Sequence, residues 1–265
     1  MRQPWMNRAG AARATGPPSE RHSGNAVRGS IPIAAAPPGA RSSLPAYVRR
    51  SLRYAHREWS FRRAVQAFRR DPASATDAGS HVLADLTYGW GNEGYSAGNE
   101  FLAACIASAL VAKSAMLECG SGLTTIVLGI VAERRRLPLW TLEHLEEWAE
   151  PVRRRLAALR LPAVHLCAGP LTQYPEFDWY TPPLGAMPRA FDLVVCDGPP
   201  GATRGGRVGL VPVMRERLAP GAVILLDDAS RSPERLIAER WARELHAHYD
   251  VVGFRRPFIR MTVGS

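Results

Sequence analysis

The sequence predicts an α/β fold in which helices cover both faces of a doubly wound, mostly parallel sheet. Three observations point to it. From residue 97 onward, apolar runs of strand length alternate with stretches of helical periodicity. The core-like strand runs are short and continuously apolar, the pattern of strands covered on both faces. Near the end, two β-rich runs are joined only by Arg255, Arg256 and Pro257, too short a link for a crossover helix. They form a hairpin, which puts one antiparallel strand into the sheet.

Composition is consistent with that fold and excludes others. The 265 residues are 46% hydrophobic and 22% charged, enough to fill a globular core. No apolar run reaches the roughly 18 to 20 residues needed to cross a bilayer. Net charge is +10, but residues 1–80 hold 14 Arg against Glu20, Glu58, Asp71 and Asp77, so the whole excess lies there and the remainder sums to zero. Of 34 basic residues only Lys113 is lysine, a bias that codon composition alone can produce, so the charge is weak evidence for nucleic acid. Cys105, Cys119, Cys167 and Cys196 lie far apart, without zinc-like spacing, and are expected as reduced thiols of a cytoplasmic protein. Ile31 to Ala36 is too short for a secretory segment and runs into Pro37 and Pro38.

In chain order, residues 1–44, rich in Gly, Pro, Ser, Ala and Arg, are expected to be a disordered tail. Residues 45–84 form a cationic helical extension, in which Val48, Leu52, Ala55, Trp59, Phe61, Val65 and Phe68 recur at helical steps among eight Arg. The stretch reads as one amphipathic helix or a broken pair. It serves either an anionic partner or as a cap on the main domain, residues 85–265. Phe101, Cys105, Ile106 and Ala109 mark a helix, Ala115–Leu117 a strand and Leu123–Arg135 a helix. Leu139–Leu142 is a strand, Glu146–Arg160 a helix and Val164–Cys167 a strand. After a long loop come a strand at Phe191–Cys196, a helix at Val208–Leu218, a strand at Ala222–Leu226 and a helix at Pro233–His246. The closing hairpin is Asp250–Phe254 and Phe258–Val263.

The strongest chemical signal is Leu117-Glu118-Cys119-Gly120-Ser121-Gly122-Leu123-Thr124-Thr125. A strand ends in an acid, turns through two glycines and enters a helix whose N-terminal N–H groups can receive an anion. A second acid, Glu143, ends the next strand 25 residues after Glu118, where a carboxylate can accept both hydroxyls of a ribose.

These motifs, with Phe191-Asp192-Leu193-Val194-Val195-Cys196-Asp197-Gly198-Pro199-Pro200 and Gly221-Ala222-Val223-Ile224-Leu225-Leu226-Asp227-Asp228, resemble the class I S-adenosylmethionine-dependent methyltransferases over about residues 85–265. The resemblance implies a seven-stranded sheet of order 3-2-1-4-5-7-6 with the last strand antiparallel. It implies S-adenosylmethionine as cofactor, with Gly120 and Gly122 beneath it, Glu118 and Thr124 around its amino-acid end and Glu143 at its ribose. Ser121, Thr125 and His144 complete that site, Ala168 and Gly169 lie near adenine, and Asp197 stands beside the methyl as the catalytic candidate.

Methyl transfer from a sulfonium chiefly requires alignment and, for a hydroxyl acceptor, removal of a proton. Asp197, Asp227 and Asp228 end adjacent strands and are candidate ligands for Mg²⁺, as in the metal-dependent O-methyltransferases of the catechol and macrocin types. The lysine that catechol-type enzymes carry three residues after the fourth-strand acid is replaced by Pro200. Gly89-Trp90-Gly91-Asn92-Glu93-Gly94-Tyr95-Ser96 reads as a binding lid or an anchored surface loop. Tyr174, Trp179 and Tyr180 either wall the adenine or pin the long loop. The expected reaction is O-methylation of a small molecule. An RNA-directed methyltransferase or RNA-binding module using residues 45–70 is the first alternative, and an NAD(P)-dependent oxidoreductase the second. Against the latter, Glu118 precedes the first glycine by two residues and Thr125 replaces the third dehydrogenase glycine.

Overall fold

The computed structural model describes residues 45–92 and 97–264. The expected tail at 1–44 and lid residues Glu93 to Ser96 lie outside the described residues. The chain divides into a unit ending at Arg50, of which Pro45–Arg50 is described, and a unit from Ser51 to the end.

Helix α1 runs Ala46–Arg70 without a break. It is followed by a 3₁₀ turn at Pro72–Ala75, α2 at His81–Trp90 and α3 at Asn99–Val111. Alternation then begins. Strands β1 (Ala115–Cys119), β2 (Leu139–Glu143) and β3 (Val164–Ala168) are linked by α4 (Leu123–Arg135) and α5 (Glu146–Leu159). Strand β4 (Phe191–Cys196) is joined through α6 (Leu210–Met214) to β5 (Leu218–Leu226), and α7 (Ser232–Glu244) leads to the hairpin of β6 (His248–Val252) and β7 (Phe258–Thr262). These seven strands lie in the order β3-β2-β1-β4-β5-β7-β6. Strand β7 is antiparallel to both of its neighbours, as expected, and the other contacts are parallel.

Successive side chains along the central strands feed two cores, one per face. Met116, Leu193, Val195 and Leu225 join one with α3 and α4, while Leu117, Cys119, Val194, Cys196, Ile224 and Leu226 join the other with α6 and α7. Burial on both faces explains why these strand sequences are mostly apolar. Phe61, Val65 and Phe68 of α1 belong to the first core, together with Leu83, Leu86 and Phe101. The same helical stripe is not buried throughout: Leu52 and Trp59 remain exposed, and the Arg63 guanidinium lies over the Trp59 ring. Arg155 of α5 forms a two-pronged ion pair with Glu58 at 2.9 and 2.6 Å.

Two local expectations change. The helix expected over Val208–Leu218 is only α6 plus a 3₁₀ turn at Arg215–Arg217, because the chain enters β5 four residues earlier than the apolar run suggested. Leu218 pairs with Phe191, and the register then jumps so that Leu193 faces Val223. The skipped stretch contains Pro220, which cannot donate to the ladder, and Gly221 at φ +74°. The long loop before β4 also contains a two-residue antiparallel ladder, Thr172–Gln173 with Asp178–Trp179, secured by Arg204 on Asp178 Oδ1 at 2.7 Å. That ladder is too short to leave a period in the sequence.

Candidate active site

The carboxyl ends of β1 and β4 meet where the chain order reverses, the place at which open α/β sheets form a crevice. The glycine loop between β1 and α4 forms its floor. Gly120 sits at φ +90°, and a β carbon there would lie 3.0 Å from the Gly198 nitrogen. Glycine is therefore required on conformational and steric grounds alike. Gly120 N donates to Leu142 O at 2.9 Å, and Gly122 N to Thr125 Oγ1 at 2.9 Å. A β carbon on Gly122 would meet nothing within 4 Å, so the loop opens upward into free space.

Glu143, at the end of β2, is 4% exposed, and its carboxylate is held from two sides. Oε2 accepts from Ser121 N and Ser121 Oγ, both at 2.9 Å, and Oε1 from His144 N at 2.7 Å and Leu145 N at 3.0 Å. His144 Nδ1 lies 2.9 Å from the same Oε1. Burial is the largest single influence and pushes the pKa up. The donors from His144, Ser121 and Leu145 together outweigh it and hold the group below the usual carboxylate range. Glu143 is thus an ionised carboxylate fixed to the glycine loop, and Trp148 Nε1 donates to Ser121 O at 2.7 Å to brace that loop from α5.

Glu118 lies one layer deeper and is fully buried. Its Oε2 accepts from Thr141 Oγ1 at 2.7 Å, while Oε1 has no hydrogen-bond partner among the described residues. Burial raises its pKa to about 7, against the hydroxyls of Thr124, Thr141 and Thr125.

At the opposite end of the crevice the carboxylates gather around an arginine. Arg207 is 2% exposed. Its Nη2 donates to Asp197 O at 2.8 Å, to Asp197 Oδ1 at 3.2 Å and to Asp228 Oδ2 at 2.9 Å. Its Nη1 donates to Asp227 O at 2.8 Å and its Nε to Pro199 O at 3.4 Å. Arg231 Nη1 lies 2.8 Å from Asp228 Oδ2. Asp228 takes φ +65°, a left-handed conformation that Asp adopts at modest cost. Burial and the neighbouring Asp227 raise the Asp197 pKa to about 8 despite Arg207, and burial likewise raises that of Asp227.

This arrangement gives no support to the expected Mg²⁺ site at Asp197, Asp227 and Asp228. Among the described residues no group of three or more His, Cys, Asp or Glu side chains is placed to hold a metal ion. Asp227 is buried with Oδ1 turned back to accept from Asp228 N at 2.8 Å, and the other two carboxylates already share the Arg207 cation. The donor set does not fit the ion.

Together these groups line a cleft of about 590 Å³, within the range of small-molecule sites. Of the residues singled out in the sequence, it brings together Gly120, Ser121, Gly122, Thr124, Glu143, His144, Asp197 and Asp228. Glu118 and Thr125 lie beneath the floor, and Ala168 and Gly169 do not line the cleft, although Gly169 N donates to Glu143 O at 3.0 Å. Trp90 and Asn92 do line it, but Gly89 serves helix packing, since a β carbon there would lie 2.7 Å from Phe61 Cα. Of the three loop aromatics Tyr180 lines the cleft, its hydroxyl buried without a partner among the described residues. Trp179 and Tyr174 do not line it, and Trp179 packs against Gly209. Sequence reasoning missed Arg207, Arg231, Glu234, Arg256 and Trp148. Only the glycine pair before Arg207 hinted at a special conformation.

No protein-family model and no curated protein matches the sequence. Solved structures do. The methyltransferase PaMTH1 from Podospora anserina, bound to S-adenosylhomocysteine, is 13% identical, with 86% of this chain and all of that chain covered at a TM-score of 0.52. The O-methyltransferase TomG from Streptomyces achromogenes, in complex with S-adenosylmethionine, is 17% identical over 78% of this chain and 90% of that one, at a TM-score of 0.45. The strand order with its antiparallel β7, the glycine loop at the reversal point and the full-length match to the Podospora protein agree: the chain has the class I methyltransferase fold.

Proposed function

We propose that the cleft binds S-adenosylmethionine and that the protein transfers its methyl group to the hydroxyl of a small molecule. The observation that carries this reading is Glu143, an ionised and nearly buried carboxylate at the end of β2, tied through Ser121 to a glycine loop that opens into free space. That pairing suits a ribose diol beside a backbone surface a ligand can approach closely. When bound, the cofactor supplies an already activated methyl group on a sulfonium.

The protein's own tasks are then binding, orientation and proton removal. Glu143 accepts the ribose hydroxyls, the glycine loop and Thr124 hold the amino-acid end, and His144 and Trp148 border the nucleoside. Glu118 and Thr125 support the floor from below. Ala168 and Gly169, one strand further out, do not line the cleft and support it through Gly169 N, which donates to Glu143 O at 3.0 Å. Asp197, a quarter exposed, faces the acceptor and takes its proton. No helix among the described residues is long and apolar enough to cross a membrane.

The test is calorimetric titration with S-adenosylmethionine of the wild type and of Glu143→Ala. Micromolar binding weakened tenfold or more in the variant is the expected result, since a charged hydrogen bond contributes about 1.5 to 3 kcal/mol. No heat of binding to the wild type would overturn the reading.

A further inference from the structure

We infer that Arg207 is the built-in cation of the acceptor end, holding the place between Asp197 and Asp228 that a divalent ion would need, so that the proposed transfer requires no metal. The inference rests on the methyltransferase reading for its chemistry but on side-chain geometry for its substance.

One guanidinium nitrogen lies 3.2 Å from Asp197 Oδ1 and 2.9 Å from Asp228 Oδ2, on two loops that leave adjacent strands. The same nitrogen also donates to the Asp197 carbonyl, and the other two nitrogens close on the carbonyls of Asp227 and Pro199, so all three nitrogens of the head group are engaged. A Mg²⁺ ion demands near-octahedral oxygens at about 2.0–2.1 Å. Here the converging oxygens face N–H donors at hydrogen-bond distance, with Arg231 adding a second positive group at 2.8 Å from Asp228. Arginine is suited to the post because it stays protonated and its planar fork can bind several oxygens at once.

The chemical consequence is that no ion acidifies the acceptor hydroxyl and a protein base, here Asp197, takes its proton. As the acceptor oxygen forms its bond to carbon, the carbon–sulfur bond breaks with its electron pair left on sulfur, and the O–H proton passes to Asp197. Charge is conserved without an ion, because a sulfonium and a carboxylate become a neutral thioether and a carboxylic acid.

The experiment is Mn²⁺ titration followed by electron paramagnetic resonance, on the wild type and on Arg207→Met. In parallel, S-adenosylmethionine titrations are run with EDTA and with added Mg²⁺. The wild type is expected to bind no stoichiometric Mn²⁺, and its cofactor affinity to be the same in EDTA and Mg²⁺. Arg207→Met, with the two carboxylates released, is expected to gain Mn²⁺ binding. One Mn²⁺ per wild-type chain, or a folded Arg207→Met that binds none, would overturn the inference. If the variant fails to fold, the wild-type titration still decides. Absence of cofactor binding would remove the methyltransferase reading while leaving the manganese result to judge Arg207.

Discussion

Gly120 and Gly198 meet backbone to backbone: a β carbon on Gly120 would lie 3.0 Å from Gly198 N, and one on Gly198 would lie 3.0 Å from Gly120 Cα. This contact joins the loop after β1 to the loop after β4 and fixes the width of the crevice floor. Gly198 is also confined from the other side, where its β carbon would fall 2.4 Å from the Tyr180 hydroxyl.

Gly120→Ala is therefore expected to lose about 1 to 3 kcal/mol of stability, from the left-handed conformation and the forced separation of the loops. Thermal unfolding should register the loss, and calorimetry should show S-adenosylmethionine binding abolished in the folded fraction. Unchanged binding would mean that the loops do not jointly form the cofactor floor.

Glu118 gives a pH-dependent prediction. Its carboxyl titrates at about 7 in the folded chain against a usual 4.5. Between those values the folded state keeps a proton that the unfolded state has lost, so stability falls as pH rises through this window and is level above it. Glu118→Gln keeps an acceptor for Thr141 and removes the titration. It should be more stable than the wild type above about pH 7, by at most about 3 kcal/mol, with the advantage vanishing toward about pH 4. Denaturant unfolding of both proteins across that range is the measurement, and parallel curves would refute it.

Asp197 should govern the rate. With its pKa raised to about 8, the base form grows as pH increases, so methyl transfer to a hydroxyl acceptor is expected to rise through about pH 8 and then level off. Asp197→Asn should slow turnover by about 10²- to 10⁴-fold and abolish that step in the profile. Cofactor affinity should change little.

The helical segment before the sheet is tested by Phe68→Ala. Phe68 is fully buried with Leu83, Leu86 and Phe101, so its truncation should cost about 3 to 5 kcal/mol in chemical denaturation. A cost under about 1 kcal/mol would mark residues 51–84 as a detachable appendage.

Much of this was legible in the sequence, and for local reasons. The parallel strands are short, mostly apolar runs bounded by polar or turn residues, and Glu118, the two loop glycines and Glu143 sit at fixed offsets from strand ends. What stayed hidden depends on residues that meet only after folding. Arg207 follows Gly205 and Gly206 with no period of its own, and its partners Asp197, Asp227 and Asp228 reach it from the ends of two other strands. Three acids at strand ends therefore suggested an ion, when the chain carries its own. The shortness of α6 was hidden for a related reason, since the early start of β5 is set by pairing of Leu218 with Phe191 across the sheet.

The insertion of β7 between β5 and β6 fixes the order in which the sheet can be finished during synthesis. Strand β5 has its native partner on one side as soon as β4 is available, but its other edge is covered only when Phe258–Thr262 has emerged. Until then the ribosome-bound chain presents an apolar open edge made by Val223, Ile224, Leu225 and Leu226, a template for pairing with another nascent copy. A polypeptide that terminates before Phe258 would keep that edge bare, so premature termination should yield aggregates instead of a smaller soluble domain.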